Sequence, residues 1–369
     1  MKQFNIPVPA RYAINLGLII AFLVLGSMLM QPGVLPRAYS NNIIQVGFFI
    51  ILAVSLNLVA GYLGQLPLGH AGFMAVGAYT GAIFWNSGLL PGTASIVAGL
   101  FLAGVIAAIF GIIIGIPALR LRGDYLAIIT LGFGEMIRVL VTNLPSITGG
   151  APGLSSPRHS SFLVVYICVI LTCVGIHMLM KSRHGRAILS IRENEIAAES
   201  CGINTTYYKV MAFAVSAFFA GVAGALFAGN TGFLVPDSFD FMMSINILMI
   251  VVLGGMGSMI GSIVAAAILT SFPVFMQGVP TQVERLLPWI EGLPAWLHWL
   301  TPVAERLSIW AVWAAANRLI VYAVLLIIVM IFKPRGLCGN YDFSLSRLLE
   351  KFTRLFTKAP VEKGGEDLG

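Results

Sequence analysis

Charged side chains are scarce in this sequence: Asp, Glu, Lys and Arg make up 10% of 369 residues, against about 25% in soluble domains. A water-soluble fold of this length still presents much of its chain to solvent and cannot hide so apolar an interior. With 58% hydrophobic residues and a mean hydropathy of +0.91, the chain reads as one whose solvent is largely lipid. Cysteine is equally sparse, at 4 residues. Cys168 and Cys173 lie in one apolar run, Cys201 in a polar loop and Cys338 near the C-terminus. No CxxC or Cys/His ligand spacing occurs, so neither a zinc site nor a disulfide framework is indicated. Also missing are GxxxxGK[ST], HExxH and GxSxG, so the chain carries no P-loop for ATP, no zincin site and no nucleophile elbow. The histidines, His70, His159, His177, His184 and His298, are scattered. An enzyme is not indicated, and no cofactor or metal is expected.

Against these absences stand 40 glycines, a burden in soluble helices but a means of close helix approach in membrane bundles. The formal charge of +7 does not point to nucleic acid, because the basic residues sit in loops between apolar runs and no aromatic–basic platform accompanies them. That distribution is the cytoplasmic-loop bias of multi-pass proteins.

A membrane-crossing helix needs about 20 mostly apolar residues. Such runs occur at Ala13–Met30, Ile43–Ala60, Leu68–Trp85, Ser95–Ile116, Tyr125–Asn143, Phe162–Met180, Val210–Gly229 and Leu319–Phe332, with a longer stretch at Phe241–Phe272. The first follows Lys2 and Arg11 without a small-residue cleavage site and reads as an uncleaved span. Arg120 and Arg122, the Lys181–Lys209 loop, and Lys333 with the basic tail mark the inner side. These markers agree only if Phe241–Phe272 crosses twice, turning at Gly254-Gly255-Met256-Gly257-Ser258, where glycine permits a turn. The expected fold is an all-α polytopic transmembrane bundle of about ten spans, including short glycine-interrupted helices, with both termini cytoplasmic. Residues 1–333 form the transmembrane domain.

Two regions look peripheral. Residues 277–317 hold Trp289, Trp296, Trp299, Trp310 and Trp313 together with Pro280, Pro288, Pro294 and Pro302. Tryptophan favours the membrane interface, so an extracytoplasmic insert of short interfacial helices is expected. Residues 334–369 form a cytoplasmic basic tail. In it Leu345, Leu348, Leu349, Phe352, Leu355 and Phe356 share one helical face and Arg347, Lys351, Arg354 and Lys358 another, as suits a helix lying on an anionic leaflet. Pro360–Gly369 is expected to be disordered.

The long polar loop 181–209 reads as a helix over Ala187–Glu199, with Ile188, Ile191 and Ile196 apolar among charges and Gly202 as the stop. A helix of this kind suits a groove in another protein. Its Glu195-x-Ala197-Ala198-x-x-x-Gly202 pattern resembles the loop by which permeases of bacterial ABC importers dock on their ATPase subunits. The run from Ser55 through Gly61, Gln65, Gly69 and His70 to Tyr79 resembles the opening motif of the branched-chain amino acid permeases. So do Gly123-Asp124-Tyr125 through Gly132, Gly134, Glu135 and Arg138; Thr148-Gly149-Gly150-x-x-Gly153; Gly254-Gly-Met-Gly257-Ser258-x-x-Gly261; and Lys333-Pro-Arg-Gly-Leu337. In order and spacing the chain is similar to the LivM-type permeases of that importer family over residues 40–337. The Trp-rich insert and the basic tail depart from the pattern.

That resemblance implies a type II ABC-importer-like permease in a bacterial or archaeal plasma membrane. It also implies a second homologous permease, two ATP-binding subunits that hold ATP and Mg²⁺, and an extracytoplasmic substrate-binding protein. The cargo it implies is a branched-chain or other hydrophobic amino acid, with urea or short amides as the alternative within the family. Arg192, Glu195, Ala197, Ala198 and Gly202 would couple the chain to the ATPases. Polar groups inside a membrane line cavities or pair with one another. Asn57, Gln65, His70, Glu135, Arg138 and Asn246 are therefore candidates for the translocation path, and equally for interhelical hydrogen bonds or, for Glu135 and Arg138, an ion pair three residues apart. An ion-coupled carrier would need a mid-membrane acid. Only Glu135 qualifies, and Arg138 beside it counts against that reading.

Overall fold

The computed structural model of the chain describes residues 8–30, 36–119, 121, 123–291, 306, 309–314, 316–333 and 336–337. The basic tail and most of 292–308, with Trp296 and Trp299, lie outside the described residues, as do Arg120 and Arg122. Thirteen helices carry the architecture among the described residues. The first six are α1 (Val8–Leu29), α2 (Arg37–Asn57), α3 (His70–Asn86), α4 (Gly92–Ala118), α5 (Asp124–Thr142) and the short α6 (Pro145–Thr148). Then follow α7 (Phe162–Lys181), α8 (Arg183–Glu193), α9 (Glu195–Ser200), α10 (Thr205–Thr231), α11 (Phe241–Gly254), α12 (Met259–Glu291) and α13 (Arg318–Phe332). A π-helical turn, Leu58–Tyr62, prolongs α2, and a 3₁₀ turn, Pro236–Phe239, precedes α11. Two-residue strands β1 (Leu154–Ser155) and β2 (Phe233–Leu234) pair antiparallel at one end of the bundle, Leu154 opposite Leu234.

Among the described residues seven segments are long and apolar enough to cross a membrane: 37–62, 92–118, 125–142, 162–181, 205–231, 236–254 and 259–280. Shorter apolar helices run over Ile20–Leu29 and Leu319–Phe332, and α3, of 17 residues, packs in the centre of the bundle. This is a polytopic helical bundle. The long apolar stretch is indeed two helices, α11 and α12, broken at residues 255–258.

The packing is that of a lipid-solvated bundle. α4 turns Ala103, Ala107 and Gly111 inward and leaves Val97 (67%), Phe101 (64%) and Ile113 (62%) outside, the reverse of a helix in water. Small residues meet where α10 crosses α3 and α4. A methyl group on Gly77 would overlap the backbone of Gly221, and one on Gly224 would overlap the carbonyl of Met74. Such crossings bring backbones to contact and replace a hydrophobic driving force with van der Waals packing.

α12 continues past Phe272 and Gln277 without interruption to Glu291, so the first residues of the region expected as an insert are continuous with the preceding helix. At about 1.5 Å per residue its 33 residues outreach a hydrocarbon core of about 30 Å. Pro280 and Pro288, expected in the insert, lie within α12 together with Pro273, as prolines can in membrane helices whose neighbours satisfy the freed backbone groups.

Candidate functional site

The polar loop between α7 and α10 is built by its capping residues. Ser182 accepts a hydrogen bond from the Gly185 N–H (3.4 Å) and opens α8. Asn194, in extended backbone at φ −160°, accepts from the Ala197 N–H (3.1 Å) and opens α9. Asn204 does the same for α10 through Tyr207 N–H (3.1 Å). The single helix expected over Ala187–Glu199 is therefore two, because asparagine competes for backbone hydrogen bonds and favours a cap over a helix interior. Gly202 ends α9 with φ at +81°, a conformation natural to glycine at a helix stop.

Facing separates the two alanines. Ala198 is 4% exposed and packs into this chain's own core. Ala197 faces outward beside Ile196, which is 66% exposed. Ile188 and Ile191 are buried and hold α8 to the bundle. Glu195 accepts a hydrogen bond from Lys209 Nζ at 2.7 Å, with side-chain exposures of 24% and 4%. This pair pins α9 to α10. Thr205 adds a bond to Glu199 Oε1 at 2.7 Å.

Arg192, at the end of α8, runs along two glycines. A Cβ on Gly64 would stand 3.1 Å from its Cγ, and one on Gly257 3.1 Å from its Nη1. Both glycines have left-handed φ, +77° and +88°. Gly257 N–H donates to Asn57 Oδ1 at 2.8 Å, and a methyl group on Gly61 would overlap Gly257 N. The unwound end of α2 and the break between α11 and α12 thus meet each other beneath Arg192, and Leu337 closes the group through its N–H to Leu253 O (3.0 Å).

The translocation-path candidates do not gather in one place. Asn57 is 1% exposed and serves this junction. Gln65 lies just beyond it, its N–H on Val59 O at 3.0 Å and its Oε1 buried without a partner. His70, 2% exposed, shares a 3.0 Å hydrogen bond with Ser55 Oγ, and Ser216 Oγ donates to Ser55 O (2.7 Å), so its polar edge ties α2, α3 and α10 together. Glu135 and Arg138 pair at 2.7 Å and are about one-third exposed. Arg138 also reaches Asp237 at 3.0 Å, near the β1–β2 end and away from α8–α9. Asn246, on α11, lines a separate cavity with α2, α12 and α13. Sequence reading missed Lys209 as the partner of Glu195, although opposite charges flanking a glycine stop were a signal. It also missed Asp237, for which an acid just after the α10 span was the hint. Among the described residues no three His, Cys, Asp or Glu side chains cluster as for a metal.

A bundle of long apolar helices with paired short helices at one end and broken helices beneath them is the architecture of a multi-pass membrane protein. The profile of the family described as the permease component of branched-chain amino acid transport systems matches residues 38–330, and the chain belongs to that family. It is 41% identical over 264 residues to the high-affinity branched-chain amino acid transport system permease protein LivM of Salmonella typhimurium, a match covering 60% of this chain and 59% of that protein. LivM of Escherichia coli matches at 40% over the same shares. LivH of Escherichia coli matches at 25% over 252 residues, 62% of this chain and 82% of that protein. The chain therefore spans less than two thirds of the length of the LivM proteins it resembles. No solved structure matches.

Proposed function

We propose that this chain is one of two permease subunits of an ATP-driven importer for branched-chain amino acids in a bacterial or archaeal cytoplasmic membrane. Similarity to both LivM and LivH proteins supports a pair of related permeases forming the path. In this reading two ATP-binding subunits dock on the cytoplasmic side and hydrolyse ATP, and a binding protein delivers substrate from outside. The chain itself performs no bond chemistry.

The observation that carries the reading is the α8–α9 unit. It is clamped to α10 by a nearly buried ion pair, yet presents Ile196 outward. A rigid pair of short helices with an exposed apolar side chain at its tip suits a groove in a partner. Displacement of α8 by that partner would pass through Arg192 to the glycine junctions at Gly64 and Gly257, where helices without regular backbone have room to reorient. An ion-coupled carrier finds no free acid in Glu135, whose carboxylate is held by Arg138.

The test is uptake of radiolabelled L-leucine into inside-out vesicles or proteoliposomes containing the chain and its neighbouring subunits. Uptake that follows ATP and survives a protonophore is expected, and Ile196→Asp should insert normally while losing the ATP-binding subunits on purification. Uptake that collapses with the ion gradient and ignores ATP would establish the carrier instead. Uptake of urea in place of leucine would move the cargo to the alternative class.

A further inference from the structure

Where α2, α11, α12 and α13 converge, the bundle holds a cavity of about 120 Å³. Phe49, Met243, Ile250, Leu269 and Pro273 form its apolar wall, and Gln45, Asn246 and Thr270 its polar one. Among the described residues no charged side chain lines it. Tyr322 closes one edge with its hydroxyl committed to Leu269 O at 2.6 Å. The polar wall is not committed in the same way. Asn246 Oδ1 and Thr270 Oγ1 are buried without a hydrogen-bond partner among the described residues, as is Asn42 Oδ1, one turn before Gln45 on α2. The Asn42 amide donates to Ser271 Oγ at 3.0 Å, beside Thr270. Unsatisfied polar atoms are costly anywhere, and most of all where hydrocarbon is the surrounding solvent. Two of them on the cavity wall, with a third one helical turn away on α2, mark a place that something else completes.

We infer that this cavity is a subsite on the translocation path for a zwitterionic amino acid with a small branched apolar side chain; the inference rests on the importer reading above. Its size suits that side chain, since an apolar cavity of about 150 Å³ takes up a benzene-sized molecule. The α-ammonium donates to Asn246 Oδ1. No hydrogen bond fixes that amide, so it is free to present its acceptor to the cavity. The Thr270 hydroxyl is available to the α-carboxylate as a donor. The missing counter-charge selects against lysine, arginine, aspartate and glutamate, whose side chains would be buried unpaired. Contacts of this kind hold substrate weakly, as a site that must also release it requires. Asn246 lies on the helix that ends at the Gly254–Ser258 break, so the same junction that Arg192 touches sets one wall of the cavity.

The experiment uses the complete importer in proteoliposomes, with L-leucine and L-phenylalanine as probes. Asn246→Val is close to asparagine in volume and removes an acceptor that has no partner among the described residues, so insertion and assembly should be unchanged. Leucine uptake should fall about tenfold or more, the effect of one lost charge-assisted hydrogen bond. Met243→Ala enlarges the cavity and should raise phenylalanine uptake relative to leucine. If the wild type imports leucine and both variants match it in rate and preference, the cavity is a packing void only and the inference falls, while the importer reading stands. If the wild type imports none of leucine, isoleucine or valine, the importer reading falls and takes the subsite with it.

Discussion

The Glu195–Lys209 pair is asymmetric, and the asymmetry makes a measurable prediction. The lysine side chain is 4% exposed and the glutamate 24%, with 2.7 Å between them. Removing the acid strands an ammonium in the interior. Breaking a buried pair in this way costs about 3–5 kcal/mol, so Glu195→Leu should destabilise by that much. Removing the base leaves a carboxylate that water already reaches, and Lys209→Met should cost nearer 1 kcal/mol, toward the value of an exposed pair. Replacing both leaves two apolar side chains against an apolar bundle, and the double variant should be close to the wild type. The coupling energy from the cycle is then about 3 kcal/mol or more. Equilibrium unfolding of the detergent-solubilised chain, followed by tryptophan fluorescence, measures all four corners. A coupling below about 0.5 kcal/mol, or a lysine variant weaker than the glutamate variant, would refute the claim that this pair pins α9 to α10.

Other outcomes follow from the same geometry. Gly257→Ala places a side chain at φ +88° and 3.1 Å from Arg192 Nη1. It should cost about 1–2 kcal/mol in backbone strain and impair uptake, and uptake equal to the wild type would show that the junction tolerates a side chain. Arg192→Ala should preserve insertion and ATPase co-purification but separate ATP hydrolysis from transport; unchanged leucine uptake per ATP would rule out its role at the two breaks. Gly77→Val should abolish a monodisperse gel-filtration peak because Gly221 blocks the added group, whereas Gly132→Val, with nothing within 4 Å, should not. Cys201 is exposed beside α9. In a Cys338→Ser background an impermeant maleimide should label it in inverted vesicles and not in intact cells, and the opposite result would invert the topology.

Much of the fold was legible because lipid reads length and apolarity directly. The break between α11 and α12 followed from Lys and Arg counting joined to the cluster Gly254–Ser258, and α11 and α12 do separate there. The run of α12 to Glu291 was not legible, because Pro273 and Pro280 carry the signature of a helix stop in water. Their cost depends on neighbours that satisfy the freed carbonyls, which is a property of the bundle and not of the run. The split between α8 and α9 turned on Asn194, a residue that favours caps but is also tolerated within polar helices. Its role appears only once its side chain is seen to accept from Ala197 N–H.

The candidate sites separate along the same line. Arg192, Glu195 and Gly202 were visible because the α8–α9 loop is local, a single polar segment whose motif lies within a few turns. Even there, facing was undetermined. Ala197 and Ala198 are adjacent and chemically identical, yet one faces out and the other is 4% exposed, since neighbouring residues on a helix point about 100° apart. The membrane polar groups are another matter. Asn57 and Gly257 meet across 200 residues of sequence, and Asn42 and Ser271 across 229. No periodicity in α2 announces that its asparagines will face α11 and α12, because both faces of α2 are apolar and its spanning core is 78% buried. In such a helix the hydrophobic pattern carries no direction, and only the packing of glycine against glycine decides which polar groups meet. The contacts that join α8 to the broken helices are therefore set by Gly61, Gly64 and Gly257, residues with no side chain of their own, whose role is to let Asn57 and Arg192 come close.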